Sequence, residues 1–171
     1  MMSGKRFGLI LYCMVSESVW AGAVTDGTMG PVRTLSGRFE IPQSLGALSG
    51  KNLFHSFKTF NVANGESATF TGDSNIRNVI SRVTGGEPSH INGLLRSLVG
   101  NADFYFINPA GVVFGQNAQL DVPAAFHVSA ADQLRFGDGL IFSAIDPNAS
   151  QLSIESPQAY GFAGDHSAQI R

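Results

Sequence analysis

The sequence predicts an all-β protein, and three observations support this expectation. Hydrophobic residues make up 43% of the 171 residues and charged residues only 14%, which is too apolar for disorder and too weakly charged for a helical bundle. The 20 glycines and the recurring asparagines are typical of turns, whereas the 13 phenylalanines favour strands. Short apolar runs follow one another without the helical segments of about 10–15 residues that βαβ units need. These patterns leave a sandwich, a barrel and a solenoid open.

The first residues have the features of a secretory signal peptide. The basic pair Lys5-Arg6 precedes a short apolar run at residues 7–15, and the small residues Ala21-Gly22-Ala23 supply a cleavage pattern. A buried first helix is the alternative. We expect residues 1–23 to be removed.

Residues 24–171 are expected to form one domain, and composition argues against several functions for it. No Lys/Arg cluster is present and the net charge is −2, which argues against nucleic-acid binding and against a polybasic membrane surface. The four histidines lie far apart in the sequence, which argues against a metal site. Asp132 and Asp138 lie on either side of a predicted solvated turn, which argues against a catalytic carboxylate pair. We therefore expect no metal, no cofactor and no catalytic residue.

Candidate strands begin at Arg38. Two segments have helical spacing of apolar residues, 76–83 and 91–99, but glycines end both quickly, and we predict strands there as well. The other candidates are Arg38–Ile41, Leu53–Phe57, Phe60–Val62, Ala68–Thr71, Asp103–Ile107, Val112–Phe114, Gln119–Val122, Phe126–Ala130, Leu140–Ser143, Leu152–Ile154 and Ala159–Phe162.

Alternation along the later strands predicts a core, since alternate residues of a strand share a face. The residues expected to be buried are Phe104, Phe106, Val113, Leu120, Val122, Phe126 and Val128.

Four stretches, taken in order, carry a family resemblance. They are Asn52-Leu-Phe-His-Ser-Phe57, Ile80-Ser-Arg-Val-Thr-Gly-Gly86, Ile107-Asn-Pro-Ala-Gly-Val-Val-Phe-Gly115 and Phe126-His-Val-Ser-Ala-Ala-Asp132. Together, behind a signal peptide, they resemble the haemagglutination-activity domain of filamentous-haemagglutinin-like two-partner secretion exoproteins.

The resemblance implies a single-stranded right-handed parallel β-helix, a pectin-lyase-like solenoid, with extra-helical strands near its N-terminus. It implies export by the Sec machinery of a Gram-negative bacterium. It further implies recognition by the POTRA domains of a cognate outer-membrane β-barrel transporter (TpsB type). The product would be secreted or held at the cell surface. Contacts with host or neighbouring cells would belong to an adhesin, haemolysin or toxin region C-terminal to this domain.

The same resemblance marks candidate transporter-recognition or motif residues: Asn52, Leu53, Phe54, His55, Ser56, Phe57, Asn108, Pro109, Gly111, Phe114 and Gly115. From the residues alone, Asn108-Pro109-Ala110-Gly111 is a sharp turn that either shapes the fold or contacts the transporter. Asn52–Phe57 is either a packed aromatic strand or an edge for a docking partner. The family often has Asn where this chain has Ala110.

Two other functions remain open. A self-contained β-helical adhesin or surface structural protein would make its contacts through the solenoid itself. A polysaccharide-active β-helix enzyme would need charged residues that converge in a groove, and the sequence offers none. The coding sequence downstream of Arg171 and a neighbouring barrel gene would separate the first of these from a secretion module.

Overall fold

The computed structural model describes residues 22–164 and 168–171. It is all-β, with a β-solenoid of about four turns. The strands are β1 Gly22–Thr25, β2 Thr34–Leu35, β3 Arg38–Pro42, β4 Ala47–Ser49, β5 Asn52–Asn61, β6 Ser67–Thr71, β7 Asn78–Val83, β8 Ser89–Ile91, β9 Leu94–Ser97, β10 Asp103–Ile107, β11 Val112–Phe114, β12 Gln119–Asp121, β13 Phe126–Ser129, β14 Gln133–Phe136, β15 Ile141–Ser143 and β16 Pro157–Gly161. Two single turns of 3₁₀ helix, η1 Gln43–Leu45 and η2 Pro147–Ala149, complete it. The predicted signal peptide lies almost wholly outside the described residues.

Parallel ladders form the faces of the solenoid. The first face stacks β5, β7, β10 and β13, the second stacks β3, β6, β9 and β12, and the third pairs β8 with β11. Each turn of the chain therefore adds one strand to the first face and one to the second, and the two middle turns also add one strand to the third. This confirms the solenoid among the architectures that the residues left open.

The interior of the solenoid is filled by the inward-facing residues of these strands. On the first face Leu53, Val79 and Phe104 are in register and buried. Phenylalanine rings from different turns contact one another edge to face, with centroids 5.1 Å apart for Phe60–Phe106 and 4.7 Å for Phe70–Phe104. Such pairs add directional contacts to the burial of large apolar surfaces.

Antiparallel strands close the solenoid at its N-terminal end. Strand β1 pairs with the second half of β5, and β4 pairs with its first half. Strand β2 continues this sheet outward from β1. These are the extra-helical strands expected near the N-terminus. Their pairing covers one edge of β5, and β7 pairs with the other edge from Asn52 to Phe57.

After β13 the chain leaves the solenoid. Strands β14, β15 and β16 form a separate antiparallel sheet, with β14 in the middle. The chain then returns to the third face, where Ile170 bridges to Val112 in parallel.

The last two residues of the predicted signal peptide, Gly22 and Ala23, belong to β1 and pair with β5, and the cleavage position stays a prediction. Two predicted strands need correction. Segment Phe60–Val62 is not separate, because β5 runs through to Asn61. Segment Leu152–Ile154 is not a strand.

The strands predicted for segments 76–83 and 91–99 are confirmed. The first segment contains β7, and the second contains the end of β8 and the whole of β9. Parallel partners on neighbouring turns override their helical periodicity, which is a weak local preference.

The predicted core is right for the middle of the solenoid and wrong near its last turn. Phe104 and Phe106 are buried. Val113 is only half-buried, and its neighbour Val112 fills the interior instead, so the assumed alternation was one residue out of phase. Leu120 is 49% exposed.

The other three core candidates, Val122, Phe126 and Val128, are partly buried. Like Leu120, they belong to the last turn. Among the described residues no further strand pairs with β12 or β13 on the outer side of this turn, so inward-facing side chains there keep one side open.

Candidate functional site

The Asn52–Phe57 motif divides between two faces of β5. Leu53, His55 and Phe57 point inward, while Asn52, Phe54 and Ser56 point outward, since alternate residues of a strand lie on opposite faces. All of them are buried in the folded domain. The outward set is buried because another part of the chain covers this face.

His55 is a histidine inside an aromatic core. Its ring lies 5.3 Å from the ring of Phe70, and its Nε2 is 3.4 Å from the carbonyl oxygen of Pro42. Among the described residues Nδ1 has no hydrogen-bond partner. Burial lowers the pKa of His55 to about 4, although the Pro42 carbonyl opposes that shift.

The pKa of His55 therefore links stability to pH. Because its folded pKa lies below its ordinary value of 6.5, the neutral ring stabilises the fold fully above that value. This stabilisation is lost as the pH falls from 6.5 towards 4. His55 is too enclosed to act on a ligand in the folded domain.

The outward residues of the motif hold the segment that follows β14. The Asn52 side-chain amide donates to the carbonyl oxygens of Ser153 and Glu155, at 2.9 Å and 2.6 Å. Its own oxygen accepts from the amide of Asn78 at 2.7 Å. Phe54 packs against Phe142, with centroids 5.0 Å apart. The motif thus anchors chain about one hundred residues away.

Asn108 fastens the turn between β10 and β11. Its side-chain amide donates to the Glu87 carbonyl and the Ser89 hydroxyl, each at 3.0 Å, and its oxygen accepts from the backbone N–H of Ala110. The N–H of Gly111 closes the turn by donating to the Asn108 carbonyl. Asn108 is fully buried, so both its donor and its acceptor are used within the fold.

Gly111 completes this turn, and any other residue there would introduce backbone strain and a steric clash. Its φ is +105°, and a Cβ there would meet the carbonyl oxygen of Gln169 at 2.8 Å. That conformation and that space both demand glycine. Pro109 is half-buried beside it.

Phe114 and Gly115 end the same motif. The ring of Phe114 faces Phe126 of the next turn, with centroids 6.4 Å apart. A Cβ at Gly115 would overlap the side chain of Asn92, whose oxygen accepts from the N–H of Asn117 at 3.0 Å. These residues, like Asn108, hold successive turns together.

Arg82 is the functional candidate that sequence reasoning missed. It lies in the second motif stretch and is fully buried. Its Nε donates to the Ser56 hydroxyl at 2.7 Å, and the two terminal nitrogens donate to Thr28, Ser143 and Ser150. The available signal was a charged residue placed between the β-branched residues Ile80 and Val83 of β7.

Asp26 supplies the negative charge near this arginine. Burial raises the pKa of the Asp26 carboxyl, but hydrogen bonds from Ser56, Thr28 and Thr84 together outweigh it, so the pKa lies below its usual range. Burial lowers the pKa of Arg82 to about 10, with Asp26 opposing the shift. Both groups stay charged at neutral pH, bridged by the Ser56 hydroxyl.

The side chains of Asn52, Arg82 and Asn108 bond to neighbouring protein groups rather than converge on a cavity. No group of acidic, histidine or cysteine side chains within residues 22–164 and 168–171 could hold a metal ion. In the same part of the chain, no helix is long and apolar enough to cross a membrane. The motif residues form buried contacts that join distant parts of the chain, here called bracing contacts.

The family comparison matches the motif order and the fold. The model of the TPS secretion domain matches residues 21–170. This chain belongs to the TPS secretion-domain family. It is thus the secretion domain of a two-partner exoprotein. The search of curated proteins and that of solved structures found no match. The TPS match begins at residue 21, so it includes β1, whose first two residues lie in the segment assigned to the signal peptide.

Proposed function

We propose that this TPS domain targets an adhesin-like or haemolysin-like exoprotein to a cognate outer-membrane transporter, which recognises it through periplasmic POTRA domains. The family match across residues 21–170 is the observation that supports this most directly. In this proposal the Sec machinery delivers the chain to the periplasm of a Gram-negative bacterium. The activity of the exoprotein belongs to a region C-terminal to this domain.

The burial of the motif residues bears on when recognition occurs. The side chains of Asn52–Phe57 and Asn108 are inaccessible in the folded domain. In addition, the Asn52–Phe57 part of β5 lies between β4 and β1 on one edge and β7 on the other, so this motif has no free edge for a strand from a partner. If the transporter reads these residues, it reads them before the chain has folded. Folding then withdraws them from the transporter.

This order gives transport a direction. Burial of the phenylalanine-rich interior is the main driving force of folding. The unfolded segment would bind the transporter on the periplasmic side. When it folds outside, it would lose those contacts and gain the contacts of the buried interior. The proposal thus assigns one set of residues to recognition first and to packing afterwards.

A binding experiment with the purified mature chain tests the proposal. The POTRA region of the cognate transporter is immobilised, and the chain is applied either folded or freshly diluted from urea. Binding of the freshly diluted chain that decays as the chain folds supports the proposal. The POTRA region of an unrelated transporter serves as the control. No binding in either state, or equal binding to the control, would contradict it.

A further inference from the structure

The outer face of the first parallel sheet carries a second apolar core. Phe54, Ile80 and Ile107 lie on this face and are buried against residues of the β14–β16 sheet. The latter are Leu134, Phe136 and Phe142, together with Ala144, which directly follows β15. The backbone of the solenoid wall separates this core from the interior one.

Residues 131–164, here called the clasp, touch the solenoid without joining its sheets. Strand β14 pairs only with β15 and β16, and none of the three pairs with a solenoid strand. Backbone bonds such as that from the Ala144 N–H to the Asp132 carbonyl stay inside the clasp. The clasp is therefore held by apolar contacts and by side chains of the solenoid.

Two polar anchors hold it at opposite ends of the covered face. At one end Asn52 binds the carbonyls of Ser153 and Glu155, and the Ser49 hydroxyl binds that of Leu152. At the other end Arg82 donates to the Ser143 carbonyl and the Ser150 hydroxyl.

Of the two polar anchors, the one formed by Arg82 has more partners. Its guanidinium carbon also lies 4.1 Å from the centre of the Phe142 ring. The planar fork with its five donors allows one side chain to serve four hydroxyl or carbonyl partners at once, which lysine cannot do. The Thr28 contact ties the residues after β1 into the same network.

We propose that the clasp opens and closes as a unit of its own, with Arg82 as the positioning residue that latches it. Opening of the clasp leaves every strand pair of the solenoid intact. It also exposes the Arg82 guanidinium to water, so the charge is not left buried without partners. Only the second apolar core and the side-chain anchors are lost. Units of this kind open at lower free energy than the whole fold does.

Native-state amide hydrogen exchange on the purified mature domain tests this. In the wild type, amides of β14–β16 should exchange at least about tenfold faster than those of β7 and β10. Arg82→Met should accelerate the clasp amides by about tenfold more while the solenoid amides keep their rates. Arg82→Lys, which keeps the charge, should fall between the two.

Arg96 provides the matched control, because it also sits on a solenoid strand but pairs with Asp121 in an exposed salt bridge. Arg96→Met should leave both sets of amides unchanged. Equal acceleration of clasp and solenoid in the Arg82 variants, or loss of the whole fold in both, would overturn the proposal. So would unchanged exchange of the clasp. None of these readings depends on transport.

Discussion

Replacing Asn108 by Asp tests whether the Asn108-Pro109-Ala110-Gly111 turn acts through the fold. The substitution preserves the size of the side chain and the oxygen that accepts from Ala110. It removes the donor that serves the Glu87 carbonyl and the Ser89 hydroxyl. It also places a carboxylate where the native side chain is fully buried.

The magnitude follows from these losses. Each hydrogen bond contributes about 1 kcal/mol net, and a buried charge without a compensating donor adds at least about another 1 kcal/mol. The free energy of unfolding should therefore fall by about 3 kcal/mol. Urea denaturation of the purified domain measures it.

Asn75→Asp is the matched control for this experiment, because Asn75 is exposed. It should change the free energy of unfolding by less than about 0.5 kcal/mol. If Asn108→Asp lost less than about 1 kcal/mol, the turn would not depend on its buried amide. A stable variant that is nevertheless not secreted would show that the transporter reads Asn108 directly.

Three other predictions concern the core, the pH dependence and the processing of the chain. Phe106→Ala should lower the free energy of unfolding, measured by urea denaturation, by about 3–5 kcal/mol. Phe162→Ala, at an exposed position, should lower it by less than about 1 kcal/mol. Equal losses in the two variants would contradict the assigned interior. The free energy of unfolding should drop by about 2 kcal/mol from pH 7.5 to pH 5 through His55, and His55→Phe should remove most of that drop; an unchanged slope would show that His55 is not buried neutral. Since Gly22 of β1 pairs with Asn61 of β5, peptide mass mapping of the secreted protein should find cleavage after Ala21, and a start at residue 24 would contradict the assigned role of β1.

The sequence patterns predicted the parts of the fold that local periodicity controls. A nearly continuous apolar run located β10, and alternation located β13 and the buried pair Phe104 and Phe106. The same rule failed at Leu120, because burial of an inward-facing residue also requires a turn stacked on its outer side. Periodicity describes which way a side chain points and not what covers it.

The bracing role of the motifs could not be predicted in the same way. Asn52 finds its partners 101 and 103 residues away, and Arg82 reaches Ser150 across 68 residues. No spacing rule links such positions. Resemblance marked Asn52 and Asn108 as important without giving their partners, and Arg82 lay in a quoted motif without being chosen.

The proposed two-partner route is tested most directly by measuring the exoprotein in culture medium from cells with and without the cognate transporter. Both strains carry the wild-type chain, and cytoplasmic and periplasmic marker proteins control for lysis. The account predicts that the protein reaches the medium only when the transporter is present and otherwise stays in the periplasm or is degraded there. Equal amounts outside both strains would contradict it and indicate release by another route.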